Sequence, residues 1–377
     1  MRIAILCSNA LNIDEHARKG TEIFCYTLLT HLTVPTRNHG LEIIAFASGA
    51  SSLPMPIESI ANEPSAADPQ INAHGKHIMY ELALLGHAFS KTATFNLYHV
   101  NMGDGDIALP FAQFVRTPII ITLHHLYDAE HTRRYFALFQ NLTHVSFVSI
   151  SNAQRRIVPH LNYAATIHHG VEENRFTFHS EGGMRIMWAG RLIPEKGADH
   201  ALEIAAHIGQ EIALFGIQKQ ETAVWFETLQ MRIASLQNTI PISCALDRNR
   251  FSLATEYQHS KLFLFPVARE EDFGLTVIES MASGTPVVTY ARGAMPELIE
   301  DGVTGFLVNP SAEDIRGHWH IKESGIAGLE EAVKRIYAMS DQQYRAMRLA
   351  CRNRVEQHFT ADRMAEEYTA LYQRLAK

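Results

Sequence analysis

Two glutamates, Glu271 and Glu279, stand eight positions apart, and between them Phe273-Gly274 leads into an apolar stretch. Ile278, Met281 and Ala282 recur at helical spacing, and Ser283-Gly284-Thr285-Pro286 stops the helix they predict. Gly274 lets a ligand approach the backbone closely. The free N–H groups of Leu275 and Thr276 then face whatever lies above the helix start, a place suited to an anion such as a diphosphate. Glu271 lies in the polar loop with Glu270 and Asp272 before that start, and Glu279 lies roughly 7 Å along the helix axis at the standard rise. Carboxylates accept hydrogen bonds from hydroxyls, and a sugar or a ribose offers hydroxyls in pairs. A diphosphate at the helix end with a carboxylate on each side would make a cradle for a nucleotide carrying a sugar. Without further support the same residues describe a solvated acidic loop before a buried helix.

A second group supplies the opposite charge. In MWAGRLIPEKGADHALEIA (187–205) a strand ends at Gly190, Arg191 and Lys196 flank a turn containing Pro194, and Gly197 follows. Two cations in one short loop at a strand end suit a departing diphosphate. Taken alone they would be ordinary surface charge.

The elements that must carry these groups are short apolar runs separated by helical patterns. RIAILCS (2–8), EIIAFAS (42–48), NLYHVNM (96–102), PIIITLH (118–124) and HVSFVSIS (144–151) read as strands, and TIHHGV (166–171) is a further candidate. They are continuously apolar, as parallel strands covered on both faces are. GTEIFCYTLLTHL (20–32) and MYELALLGHAFS (79–90) read as helices between them. Residues 49–75 read as a long loop. After the polar segment 172–184, which reads as a linker, the alternation restarts with RIMWAG (185–190), EIALFG (211–216), IPISCAL (240–246), KLFLFPV (261–267), PVVTY (286–290) and GFLV (305–308). Residues 310–325 read as loop and the last 50 or so as helix. The expectation is two doubly wound α/β domains, the first over 1–175 and the second over 184–359. Ligands of such sheets bind at the carboxyl ends of strands, here in a cleft between the domains.

With 377 residues, 46% hydrophobic and 19% charged, the chain can fill two cores. A formal net charge of -7 argues against nucleic acid as the partner. Cys7, Cys25, Cys244 and Cys351 form no CxxC pair, so a disulfide framework or zinc site is not expected. MRIAILCSNA reads as a buried first strand, not a signal peptide, and no stretch approaches the roughly 20 apolar residues of a membrane helix. The chain is expected in the cytoplasm, with room for peripheral association at the inner face of a membrane.

The run EDFGLTVIESMASGTPVV, with its Glu271-to-Glu279 spacing, resembles the EX7E segment of retaining glycosyltransferases of GT-B architecture, specifically glycosyltransferase family four. Gly190 through Gly197 is similar to that family's G-R-x4-K-G motif, and ARGAMPELIEDGVTGFLV (291–308) to the stretch after the EX7E helix. The resemblance is tightest over 185–308. It implies two Rossmann-like domains, a nucleotide-sugar-binding second half and an acceptor-binding first half, with the terminal helix 360–377 packing back on the first. It also implies transfer of a hexose, glucose from UDP-glucose being preferred, to a hydroxyl of a saccharide or glycolipid. Glu271 would hold the donor sugar and Glu279 the ribose. Backbone groups at Phe273, Gly274 and Leu275 would hold sugar and phosphate, with Asp272 and Thr276 beside them. Arg191 and Lys196 would neutralise the diphosphate. Gly190 would line the strand end, and Leu246 falls where relatives touch the base. Glu297 would lie near the cleft.

In the first half Gly20-Thr21-Glu22 resembles the family's Gly-rich loop facing phosphate or acceptor, with Gly-Thr in place of Gly-Gly. His124, at the end of PIIITLH, stands where relatives place a His beside the reacting sugar. His169 stands where Asn is common in the family's turn. Two look-alikes are set aside. GDGDIA (103–108) mimics a dinucleotide fingerprint, but it lies in a later strand–helix unit and His125 stands where the acidic ribose ligand would be. Asp104 to Asp106 mimics a metal-binding DxD, but GT-B enzymes generally stabilise the leaving group with cationic side chains and a helix end. No cofactor and no essential metal are expected. The competing expectations are a nucleotide-sugar epimerase or hydrolase, and a binding protein without catalysis.

Overall fold

The computed structural model describes residues 1–34, 40–103, 105–125, 128–218 and 220–376. The chain divides into two compact units, one of residues 1–170 with 361–377 and one of residues 171–360.

The first unit is a parallel sheet of seven strands: β1 (Arg2–Leu6), β2 (Glu42–Phe46), β3 (Ile57–Glu58), β4 (Leu97–Val100), β5 (Ile119–Leu123), β6 (Val145–Ser149) and β7 (Tyr163–Thr166). Their order is β3-β2-β1-β4-β5-β6-β7, so the winding reverses between β1 and β4. Both faces are covered. Leu84, Leu85 and Phe89 of the helix His77–Phe89 pack against Phe46, Tyr98 and Val100 on one side. On the other, Phe24, Leu28 and Leu29 of the helix Gly20–Leu32 pack with Ile5, Ile43 and Ile120. Met364, Tyr368, Leu371 and Tyr372 of the terminal helix Ala361–Leu375 join that second face. Burial on both sides accounts for the uninterrupted apolar strands.

The second unit is a six-stranded parallel sheet of β8 (Arg185–Arg191), β9 (Ile212–Ile217), β10 (Ile242–Leu246), β11 (Ser260–Phe265), β12 (Val287–Tyr290) and β13 (Gly305–Val308). The order β10-β9-β8-β11-β12-β13 reverses between β8 and β11. Trp188, Phe263, Val277, Ile278 and Met281 are fully buried in its core.

Three expectations are corrected. Residues 49–75 are not one loop: β3, a turn of 3-10 helix at Ser65–Ala67 and a helix Pro69–His74 capped by Asp68 lie within them. The strand expected at 166–171 instead ends at Thr166. The segment 172–184 is stitched into the second unit. Arg352 Nη1 donates to the carbonyls of Glu173 and Phe176, each at 2.9 Å, and the fully buried Arg348 donates to that of His179 at 2.7 Å. Arginine can satisfy several carbonyls at once through its forked donors, which a reading of polarity alone does not anticipate. The four cysteines are free thiols. Among the described residues no helix is long and apolar enough to cross a membrane.

Candidate functional site

The reversal between β8 and β11 sets two strand ends side by side, and the loops leaving them carry the charged residues. Beyond β8, residues 192–197 fold into a short turn with a 3-10 helix at Pro194–Lys196. Trp188 Nε1 donates to the Lys196 carbonyl at 3.0 Å, and Ala268 N–H to the Glu195 carbonyl at 2.8 Å. The two loops are therefore fixed to each other through main chain, independently of their charges.

Lys196 Nζ meets Glu271 Oε2 at 2.5 Å, with the side chains only 8% and 14% exposed. Burial pulls the ammonium below its ordinary pKa. Glu271 opposes that pull, and the positive charges of Arg191 and Arg269 add to it. Three cations thus act on one spot, and Arg269 was not singled out from the sequence. Its neighbour Asp272 accepts from Arg269 Nη2 at 3.4 Å, so Asp272 is tied to the cationic group and not directed alone to a ligand. Glu270 is also structural: it accepts from Gly293 N–H at 2.6 Å and from Arg316 at 2.9 Å. Gly293, at φ +56°, is a necessity here, because a Cβ would sit 2.2 Å from the Glu271 carbonyl oxygen.

The helix Leu275–Ala282 opens on Gly274 with no side-chain cap. Its first N–H groups, at Leu275 and Thr276, have no acceptor within their own helix. Gly274 has φ +110°, a backbone conformation that side chains rarely adopt, so the backbone geometry calls for glycine there. Phe273 is buried against Phe359. Glu279 is 2% exposed on the same helix. Its partner is Arg250, whose Nε donates to Oε1 at 2.5 Å. Burial raises the Glu279 carboxyl above its ordinary pKa, and Arg250 and the Tyr257 hydroxyl draw it back. Neither partner was anticipated, since both come from a polar stretch beyond β10 that no spacing rule marks. Leu246 ends β10 and is 38% exposed. Gly190 lies within β8 opposite Gly216, just before the exposed Arg191.

The first-unit residues lie at the carboxyl ends of its own central strands. Gly20, Thr21 and Glu22 open the helix Gly20–Leu32, with Gly20 exposed and Glu22 buried. His124 follows β5; its Nε2 lies 3.1 Å from Asn101 Oδ1, and its ring stands edge-on to Phe24 at 4.6 Å. His169 stacks on His124 at 5.7 Å, and burial followed by the charge of His124 depresses its pKa. His99, between Tyr372 and Thr122 hydroxyls at 2.7 Å each, is held down to about 3 by burial. The sequence reading missed Glu81 of the helix His77–Phe89. Its Oε1 accepts from Ser8 Oγ and Asn9 N–H, both at 2.9 Å, yet burial still lifts its pKa to about 7. Asp104 lies outside the described residues.

Residues 171–321 match the family described as glycosyl transferases group 1. The match lies wholly within the second unit. Over 138 residues the chain is 33% identical to a D-inositol 3-phosphate glycosyltransferase of Mycobacterium leprae, covering 36% of this chain and 31% of that one. Over 184 residues it is 29% identical to its counterpart in Mycolicibacterium smegmatis, 46% of this chain and 40% of that one. The matches thus span between about a third and two fifths of the length of these curated relatives. Among solved structures, sucrose-phosphate synthase from Thermosynechococcus elongatus superposes with a TM-score of 0.77 over 99% of this chain and 98% of that one, at 18% identity. Anabaena HepE in complex with UDP and glucose superposes with a TM-score of 0.74 over 99% and 100%, at 16% identity. At such identities the likeness is one of fold, and the fold is GT-B. The matched segment holds both the Lys196–Glu271 and the Arg250–Glu279 pair.

Proposed function

We propose that the chain is a retaining hexosyltransferase that moves glucose from UDP-glucose to a hydroxyl of a saccharide or glycolipid acceptor. The observation that carries this reading is the Lys196–Glu271 contact at 2.5 Å beside the uncapped start of the helix Leu275–Ala282. A cation, an open helix end and a carboxylate are what a sugar diphosphate needs: charge for the phosphates, N–H donors for their oxygens, and an acceptor for the sugar hydroxyls. The HepE complex with UDP and glucose, a structure of the same fold, supports UDP-glucose as the first donor to try.

In the proposed reaction the bond from the sugar's anomeric carbon to the β-phosphate oxygen breaks through an oxocarbenium-like state. The acceptor oxygen bonds to the same face, and its proton passes to the departing phosphate. Lys196, Arg191, Arg269 and the helix start stabilise the charge that develops on the diphosphate. Glu271 holds the donor sugar hydroxyls. Gly20, Thr21, Glu22 and His124 are assigned to the acceptor half. The donor charge is carried by side chains and main chain, so no essential metal is invoked. A cytoplasmic location, at or near the inner face of a membrane, belongs to the same proposal.

A thermal-shift panel of UDP-, GDP- and ADP-sugars, followed by transfer to an acceptor library, tests this reading. The expected result is stabilisation by UDP-glucose and a product with the donor's anomeric configuration, read by NMR. Turnover of donor with no acceptor required would indicate an epimerase or hydrolase. Binding without any turnover would indicate a non-catalytic role. Stabilisation by GDP- or ADP-sugars alone would replace the donor.

A further inference from the structure

Arg250 does more than its charge requires. Beyond β10 the chain turns at Asp247, whose φ of +53° is left-handed and whose N–H donates to the Gly216 carbonyl at 2.9 Å. Aspartate is one of the few side chains that adopt this conformation readily. The turn delivers Arg250 to the helix Leu275–Ala282, where its Nε meets Glu279 Oε1 at 2.5 Å. The two side chains are 10% and 3% exposed. The guanidinium carbon lies 5.4 Å from the ring centroids of both Phe176 and Phe251, so apolar surface holds it in place. Its Nη2 is buried and has no hydrogen-bond partner among the described residues.

The buried Nη2, without a partner among the described residues, sets Arg250 apart from a simple counter-ion. A guanidinium that neutralises a carboxylate frequently pairs with it through two nitrogens. Here Nε makes the contact, and the terminal nitrogen is left unsatisfied in a buried place, which is costly unless something fills it. Glu279 stands four residues, or about 6 Å of helix rise, from Leu275 at the anion-binding end. A carboxylate only accepts hydrogen bonds and a guanidinium only donates, whereas a hydroxyl does both. Side by side, the pair matches a vicinal diol: each hydroxyl gives its proton to the carboxylate, and the guanidinium donates to a hydroxyl oxygen.

We propose that Arg250 is a further donor-site residue, which with Glu279 clamps the ribose diol of a nucleoside diphosphate, Nη2 being the group that meets the sugar oxygen. This rests on the nucleotide-sugar reading above and adds a residue and a selectivity to it. The clamp rejects nucleotides that lack the diol and is indifferent to the transferred sugar.

Titration calorimetry of the full chain with UDP and with 2′,3′-dideoxyuridine diphosphate tests it. Wild type should bind UDP about 10- to 100-fold more tightly, the range for hydrogen bonds to a charged group. Arg250→Gln should erase most of that ratio by weakening UDP, while the dideoxy nucleotide binds as it does to wild type. Arg250→Lys, which keeps a charge for Glu279 and leaves nothing at the Nη2 position, should lose the ratio too. It serves as the readout if the glutamine variant does not unfold cooperatively. A variant that weakens both nucleotides equally, or that keeps the wild-type ratio, overturns the clamp and leaves Arg250 a counter-ion. Wild type that binds UDP without regard to the diol also overturns the clamp but leaves the donor reading intact. Wild type that binds no UDP, GDP or ADP overturns both.

Discussion

The two units are built alike, yet they treat buried polar groups in opposite ways. In the second, each buried ionic side chain at the strand ends meets an opposite charge: Lys196 with Glu271, Arg250 with Glu279. In the first, the buried polar groups in and around β1, β4 and β5 are neutral or left wanting. His99 is held neutral, Glu81 takes a proton near neutrality, and both side-chain polar atoms of Asn9 and the Asn101 Nδ2 are buried with no hydrogen-bond partner among the described residues. On the proposed reading the paired charges present fixed donors and acceptors, for a diphosphate and sugar at Lys196–Glu271 and for a ribose diol at Arg250–Glu279. Unsatisfied amides suit hydroxyl-bearing ligands, which differ from one acceptor to the next.

The comparison breaks most readily at Lys196. Lys196→Ala should lower turnover by about 10²- to 10³-fold, as removal of one preorganised donor does. It also strands the Glu271 carboxylate, so activity should be normalised to the folded fraction from urea unfolding. Retention of near-wild-type turnover would end the assignment. Gly293→Ala should follow in size. The new methyl meets the Glu271 main chain in a left-handed turn, at a cost of about 1–3 kcal/mol visible as a lower urea midpoint. Its partner pairs can then be compared by activity of the remaining folded protein.

The first unit is sharpened by pH. Glu81 has a folded pKa of about 7 against an ordinary 4.5, so its contribution is fully present below pH 4.5 and is lost as pH rises through about 7. His99 has a folded value of about 3 against 6.5, so its contribution is present above pH 6.5 and fades as pH falls toward 3. Between 4.5 and 6.5 the two oppose each other. Glu81→Gln keeps an oxygen for Ser8 and Asn9. It should gain about 1–3 kcal/mol over wild type at pH 8 and little at pH 4, by urea unfolding at both values. An equal effect at the two values would contradict the buried, proton-holding state. The smallest effect expected is none: on the proposed reading side chains and a helix end supply the charge stabilisation, so EDTA should leave the transfer rate within about twofold. A metal-dependent rate would show that the second unit's cations are insufficient.

The strands were legible because parallel strands buried on both faces leave continuous apolar runs, and the helix 20–32 because it falls between two of them. Lys196 and Glu271 were legible because each lies in a local pattern, a strand end with a glycine turn or a glycine before a helix. Arg250 was not. It lies 29 residues before its partner, and DRNR reads as exposed loop until the Asp247 turn directs it inward. Glu81 sits in a helix whose apolar residues give no sign that a carboxylate among them is buried. The segment 172–184 looked like a linker because its polarity is real, but Arg348 and Arg352, more than 160 residues later, bind its carbonyls. Pairings of that sequence distance leave no local mark.

The helix Ala361–Leu375 completes the first unit only after the whole of the second has been made. During synthesis the amino-terminal sheet must therefore wait, with one apolar flank lacking Tyr368 and Tyr372, while residues 171–360 emerge and can already close their own core. The unit that begins first finishes last, so the downstream domain is positioned to mature ahead of the upstream one, the reverse of the usual vectorial order.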